Sequence, residues 1–230
     1  NPTWDVVDIA AAAELAHQAG AQLAVDCTVS TPLTTRALAL GADIVFHSAT
    51  KYYNGHSDVL AGLLVTREVD SRWQEIRLVR TLMGAVLGPF EAWLLLRGMR
   101  TMFIRFEKSC SSALRIANHF EGHEKLDAVL YPGLKSHAGH SIAKKQMTNG
   151  FGGMMSLMLK ADADQVRRFA SSTHLFIPAT SLGGVESLIE HRASVEGPNS
   201  VVPKNLVRLS IGIENCDDLI ADLEQALERI

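Results

Sequence analysis

The sequence predicts an α/β fold, on three observations. Helical and strand-like patterns alternate through the first hundred residues, the strand-like runs are short and continuously apolar, and glycines fall where helical patterns stop. Val6, Ile9, Ala10, Ala13 and Ala16 recur at helical spacing up to Gly20, and "AQLAVDC" follows as a run of buried-strand type. "RALALGADIVFHSA" repeats that scheme around Gly41, and "VLAGLLVT" supplies a third strand. Such alternation predicts a mostly parallel sheet covered on both faces.

Residues 88 to about 120 predict one long helix with Gly98 as an interruption. Past "EGHEKLDAVLYPGL" the pattern changes: "FGGMMSLMLK", "HLFIPATSLGG" and "LVRLSIGIE" predict strands separated by helices. The final helix carries the stripe Leu219, Ile220, Leu223, Leu227 and Ile230, with Asn215 and Asp218 spaced as a capping box. The change divides the chain into 1–105, part of a large α/β domain, and 106–230, a smaller α+β domain, with the boundary inside the long helix.

Composition narrows the function. The 230 residues are 47% hydrophobic and 20% charged, enough for a real core. A net charge of −3 without runs of like charge argues against a nucleic-acid groove or an anionic membrane surface. No apolar run reaches membrane-spanning length, and the opening residues lack the basic and apolar parts of a signal peptide. Cys27, Cys110 and Cys216 are odd in number and scattered, which argues for a reducing compartment, the cytoplasm. The opening "NPTWDVVDIA", without an initiator Met, points to a fragment of a longer protein.

The chemistry gathers around "HSATKYYNGHSDVLAGLLV". Asp26 and Ser48 stand at the ends of two predicted parallel strands, where open α/β sheets bind ligands. Lys51 follows by one short turn. Ser48 and Thr50 offer hydroxyls to an anion, Asp26 a carboxylate, and Lys51 an amine. A lysine withdrawn from water favours its neutral form and becomes a nucleophile toward a carbonyl, which suits a Schiff base. Taken singly, each residue also fits a plain structural role: a solvated loop charge, a helix cap, a turn former. His47, His56 and Asp58 flank the loop, but their spacing matches no usual zinc pattern, and His47 reads as a packed residue. No G-x-G-x-x-G after a strand and no G-x-x-x-x-G-K-[ST] points to a nucleotide.

"AVDCTVSTP", "LGADIVFHSATKYYNGHSDVLAGLLV", "SLGGVESLIEH" and "LVRLSIGIE" occur in order and resemble the Cys/Met metabolism, or trans-sulfuration, family of pyridoxal-phosphate enzymes. That family includes cystathionine γ-synthase, the cystathionine lyases and methionine γ-lyase. The resemblance implies the fold-type I architecture of the aspartate aminotransferase-like enzymes, pyridoxal 5'-phosphate as cofactor, and an amino-acid substrate. It also implies a homo-oligomer, a tetramer built from dimers. Lys51 matches the lysine that bonds to the cofactor aldehyde, Asp26 the carboxylate at the pyridine nitrogen, Ser48 and Thr50 the phosphate hydroxyls, and Asn1 an asparagine near the ring hydroxyl. Arg208 matches the arginine that grips the substrate carboxylate, with Ser181 beside it. The alternation of Val207, Leu209, Ile211 and Ile213 with Arg208, Ser210 and Gly212 predicts a strand that buries one face and presents Arg208 on the other.

Departures bear on the substrate. Cys27 stands where the family commonly has Asn, Val29 where it has an aromatic residue, and "HRASVEGP" replaces an "HPASMTH"-like stretch. Thr180 stands where the γ-lyases often have an acid, which turns the expected reaction toward the cystathionine γ-synthase type, with the β- or γ-lyases and methionine γ-lyase as alternatives. The family's ring-stacking tyrosine and glycine-rich phosphate turn lie in a part that this sequence lacks. A subunit that holds no cofactor is therefore the alternative of another class, and an aminotransferase the rival within the fold.

Overall fold

A computed structural model describes all of residues 1–230. Its first part runs α1 (Ile9–Gln18), β1 (Ala24–Asp26), α2 (Thr31–Thr34), a 3-10 helix (Ala37–Leu40), β2 (Ile44–Ser48), β3 (Gly62–Thr66), α3 (Ser71–Leu82) and α4 (Pro89–Met99). Then α5 (Met102–Phe120) leads into β4 (Leu126–Leu130), α6 (His140–Gln146), β5 (Met154–Leu159), α7 (Ala163–Ser171), β6 (Ile177–Pro178), β7 (Leu188–Glu190), α8 (Arg192–Glu196), β8 (Leu206–Ser210) and α9 (Cys216–Leu227). No helix is long and apolar enough to cross a membrane.

The smaller sheet has the order β1-β2-β3. Parallel pairing sets Ala24 opposite Ile44 and Asp26 opposite Phe46, so β1 and β2 bring their carboxyl ends to one edge. β3 departs from the expected parallel sheet and runs antiparallel to β2, with Ser48 opposite Gly62. A parallel return needs a crossover, usually a helix, and the residues between β2 and β3 are taken up by the turn that carries Lys51. Nor are both faces covered: Phe46, Leu64 and Val65 remain exposed.

Helix ends follow local chemistry. Asp8 caps α1 by accepting from Ala11 N at 3.2 Å, so Val6 lies ahead of the helix. The long helix divides at Arg100 and Thr101, two residues beyond the expected Gly98. Gly98 serves packing instead, since a Cβ there would stand 2.3 Å from Asn54 O. Asn215 caps α9 through Asp217 N at 2.8 Å without the expected reciprocal bond from Asp218. The capping box belongs to α7, between Asp162 and Gln165.

The larger sheet has the order β4-β5-β8-β7-β6, antiparallel except where β6 meets β7. On one face Leu157, Ile189, Val207 and Leu209 pack with Ile116 and Phe120 of α5, Phe169 of α7, and Leu219 and Leu223 of α9. β8 thus alternates as expected, with Arg208 on the other face, but that face is buried as well. Ile213, expected to continue the alternation, lies beyond β8 and is exposed. β4 and β7 are strands that the sequence pattern did not single out. α5 spans both sheets: Phe106 packs with Trp4 and Tyr52, while Ile116 and Phe120 join the larger core.

Asp222 of α9 is 5% exposed and accepts three backbone hydrogen bonds, from His174 N at 2.7 Å, Leu175 N at 2.8 Å and Phe176 N at 3.0 Å. Asp222→Ala would strand these donors and should lower stability by about 3 kcal/mol or more. Urea denaturation measures this, and a loss below about 1 kcal/mol would mean that the loop re-pairs without the carboxylate.

Candidate active site

Lys51 sits early in a turn whose bonds run from Lys51 N to Ser48 O at 3.1 Å, from Asn54 N to Ala49 O at 3.0 Å and from Gly55 N to Lys51 O at 2.7 Å. Its Nζ donates to Ser181 Oγ at 2.7 Å, across from the smaller sheet to the larger. Burial holds the Lys51 amine below the ordinary lysine value, and the Arg208 cation pushes it in the same direction.

A cleft of about 540 Å³ opens beside it, lined by Asn1, Asp26, Thr28, Ser48 and Lys51 among others. Asp26 pairs with no cation, and its one hydrogen bond is accepted at Oδ1 from Thr28 N at 2.8 Å. Thr28 ties the two strand ends together, since its Oγ1 accepts from Ser48 N at 2.8 Å. Sequence reasoning passed over it, although a hydroxyl two residues past a strand-end Asp was the available signal. Asn1 is placed by its neighbours: Ser156 Oγ donates to Pro2 O at 2.8 Å and accepts from Trp4 Nε1 at 2.9 Å.

Thr50 does not join this group. Its Oγ1 accepts from Ala61 N at 3.0 Å and donates back to Ala61 O at 3.4 Å, and it lines a different cavity, with Ser57, Asp58 and Glu186. His47 is packed, as expected from its context: its Nδ1 lies 3.1 Å from Cys27 O, and its ring rests 4.8 Å from that of Tyr53. Burial lowers its pKa.

Arg208 is 4% exposed. Its Nη2 donates to Ser181 O at 3.0 Å, and its Nη1 to Asn1 Oδ1 at 3.4 Å. Ser181 therefore joins the amine, through its hydroxyl, to the guanidinium, through its carbonyl. It does so at φ +87°, a strained conformation for a residue with a Cβ. Buried Glu190 forms an ion pair with Arg208 and a second one with Arg192 Nη1 at 3.3 Å. Arg192 is further held by Glu196 Oε1 at 2.8 Å. Burial lowers the Arg208 pKa, and Glu190 opposes that shift. The sequence reading missed Glu190, because an acid in the apolar run "SLIEH" gives no sign of its partner on another strand.

The donor set fits the ring and aldehyde of pyridoxal 5'-phosphate: an amine of lowered pKa, a carboxylate without a cation for a ring nitrogen, and a Ser48 hydroxyl without a hydrogen bond for an anion. The phosphate end is the thinner part, with no basic residue but Lys51 in the cleft lining. Fold and site together define a class of α/β chain that sets a lysine at a sheet edge against a buried arginine. The sequence profile described as "Cys/Met metabolism PLP-dependent enzyme" matches residues 1–228, and the chain belongs to that family. It is similar to cystathionine gamma-synthase of Mycobacterium bovis, 46% identical over 232 residues that make up 99% of this chain and 59% of the relative. Cystathionine gamma-lyase of Dictyostelium discoideum is 44% identical over 237 residues, 100% of this chain and 61% of the relative. The crystal structure of cystathionine gamma synthase from Xanthomonas oryzae pv. oryzae, in complex with aminoacrylate and cysteine, matches at a TM-score of 0.93 and 40% identity, covering 100% of this chain and 61% of that one. The chain thus spans about 60% of the length of these relatives.

The two hydroxyls should separate in experiment. Thr50→Val would strand Ala61 N and should cost about 1–2 kcal/mol of stability, whereas Ser48→Ala should stay within about 0.5 kcal/mol. Equal losses in thermal or urea melts would contradict the division of roles.

Proposed function

We propose that the whole protein uses pyridoxal 5'-phosphate to form or cleave a C–S bond of a sulfur amino acid, in the manner of a cystathionine γ-synthase. One observation carries the reading most: Ser181 joins the Lys51 amine at 2.7 Å and the Arg208 guanidinium at 3.0 Å. The Lys51 amine would hold the aldehyde that a substrate amine needs, and the Arg208 fork would meet the substrate carboxylate, so the pair serves both ends of an α-amino acid. The bound cofactor supplies an electron sink for charge developing at the substrate Cα.

Each residue then has a task. Lys51 Nζ would hold the cofactor at its aldehyde carbon and, as an amine whose charged form is disfavoured, would move the proton at the substrate Cα. Asp26, a carboxylate in the cleft without a cation, would hold the ring nitrogen and keep it protonated. Ser48 would take a phosphate oxygen, while Thr50 would reach that end only if its hydroxyl left Ala61. Asn1, in the cleft lining, would serve the ring hydroxyl. Arg208 meets the substrate carboxylate with two parallel bonds, which a lysine cannot offer.

Thr180, beside Ser181, supports synthase over lyase; relatives named as synthase and as lyase match at 46% and 44% identity and so do not separate the two. The thin phosphate end favours one second reading, a subunit that holds no cofactor by itself. The division at 1–105 and 106–230 belongs to the proposal, as does a cytoplasmic location, which the free, buried Cys27, Cys110 and Cys216 support. So does a homo-oligomer, on the pattern of a tetramer. α3 buries none of its residues, and Leu78, Val79, Leu82, Phe90, Trp93 and Leu96 are exposed across α3 and α4. A second copy is the occupant that family membership supports.

Release of ammonia and an α-keto acid from cystathionine or methionine would support a lyase; cystathionine formed from cysteine and an O-acyl homoserine would support the synthase. Amino groups retained on the cofactor would instead indicate an aminotransferase. Arg208→Ala should lower kcat/KM by roughly 30-fold to several-thousand-fold. Because that change leaves the buried Glu190 with Arg192 as its one cation, the Arg208→Ala/Glu190→Gln pair is the cleaner test. Unchanged kcat/KM in it would remove Arg208 from the substrate site. Trp93→Glu with Leu96→Glu should reduce the assembly size in sedimentation, and an unchanged size would place the contact elsewhere.

A further inference from the structure

Arg105, in the first turn of α5, is 6% exposed, yet it takes part in none of the ion pairs of the structure. A guanidinium withdrawn from water without a counter-ion is costly unless its donors are satisfied. They are. Nε donates to Thr101 Oγ1 at 3.0 Å, Nη1 to Tyr52 O at 3.0 Å, and Nη2 to Gly98 O at 2.9 Å and to Tyr53 O and Asn54 O at 3.4 Å each.

Three of these acceptors close the turn that carries Lys51. A helical turn leaves its last carbonyls without partners and at the negative end of its dipoles. Tyr52, Tyr53 and Asn54 are buried, so water does not serve them. Arg105 serves all three as a cationic cap, sharing Asn54 O with His56 Nδ1, which lies 2.7 Å from it. Two glycines admit this closeness. A Cβ on Gly55, which has φ +70°, would stand 1.9 Å from Arg105 Nη1, and one on Gly98 would stand 2.3 Å from Asn54 O. The far side of the turn is held by Val185 N, which donates to Gly55 O at 3.0 Å.

We propose that Arg105 is a positioning residue whose guanidinium fixes the turn of residues 49–55, and through it the direction in which Lys51 delivers its amine to Ser181 and the cleft. The proposal rests on Lys51 being the reactive amine. Arg105 acts through backbone carbonyls and touches neither substrate nor cofactor. Its fork is what matters, since one planar group reaches four carbonyls from Tyr52 to Gly98.

The test is the pH midpoint at which trinitrobenzenesulfonate labels Lys51, read by peptide mass spectrometry on the whole protein after hydroxylamine has removed bound carbonyl compounds. The charged groups that face Lys51 are Arg208 from β8, Asp5 and Asp26 in the cleft, and Asp58 and Glu186 in the neighbouring cavity, and all are kept in the variants. Arg105→Lys keeps the charge and loses the fork; its Lys51 midpoint should move up toward the ordinary lysine range as the loosened turn rehydrates the amine. Gly98→Ala, which leaves Arg105 in place and pushes on Asn54 O, should move it in the same direction. Ile116→Val, further along α5, should lower the melting temperature and leave the midpoint alone. An unshifted midpoint in Arg105→Lys would overturn the proposal and leave Arg105 a purely structural residue. A wild-type Lys51 that titrates like the other lysines would instead overturn the assignment of Lys51 itself, and the proposal with it.

Discussion

The hydrogen bond from Lys51 Nζ to Ser181 Oγ, at 2.7 Å, crosses from the smaller sheet to the larger, and two further hydrogen bonds and one close backbone approach accompany that crossing. Val185 N reaches Gly55 O at 3.0 Å, and Ser57 Oγ reaches Glu186 Oε1 at 2.5 Å, so the Lys51 turn and the loop before β7 meet along their length. Gly183 lets them meet, since a Cβ there would stand 2.9 Å from Tyr52 N. Neither sheet makes a site alone. The smaller one supplies an amine and a carboxylate, the larger one a guanidinium, and Ser181 holds both cations at a strained φ of +87°.

Charge balance gives these two cations different characters. Arg208 is buried against Glu190, whose carboxylate opposes the lowering of its pKa by burial. Lys51 has no carboxylate partner, and both burial and Arg208 favour its neutral form. A guanidinium beside an amine of lowered pKa is an arrangement suited to one group that holds a carboxylate and another that attacks a carbonyl. Arg192 draws on the same Glu190 and is itself held by Glu196, so the "HRASVEGP" stretch bears on Arg208 through a shared carboxylate.

What the sequence disclosed was local. Apolar runs placed β1 and β2, a period of two put Val207 and Leu209 inward and Arg208 on the other face, and the strand ends put Asp26, Ser48 and Lys51 in one cleft. What it concealed depends on partners far along the chain. The Thr50 hydroxyl is claimed by Ala61, Glu190 by Arg208 on the neighbouring strand, Asp222 by a loop 46 to 48 residues away, and Arg105 by carbonyls over 50 residues back. Backbone acceptors leave no mark on residue type, which is why Arg105 escaped a reading based on residue type. The direction of β3 escaped for a similar reason, since the apolar run "VLAGLLVT" fits a parallel strand as well as an antiparallel one.

The most direct measurement is borohydride reduction of the whole protein in the presence of pyridoxal 5'-phosphate, followed by peptide mapping of the lysine that carries the adduct, with and without an added sulfur amino acid. The account predicts an adduct on Lys51 whose yield falls when the amino acid is present, because substrate amine and Lys51 compete for one aldehyde beside Arg208. An adduct on another lysine, such as Lys145, or a Lys51 adduct that the amino acid leaves unchanged, would contradict the joining of Lys51 and Arg208 in one substrate site.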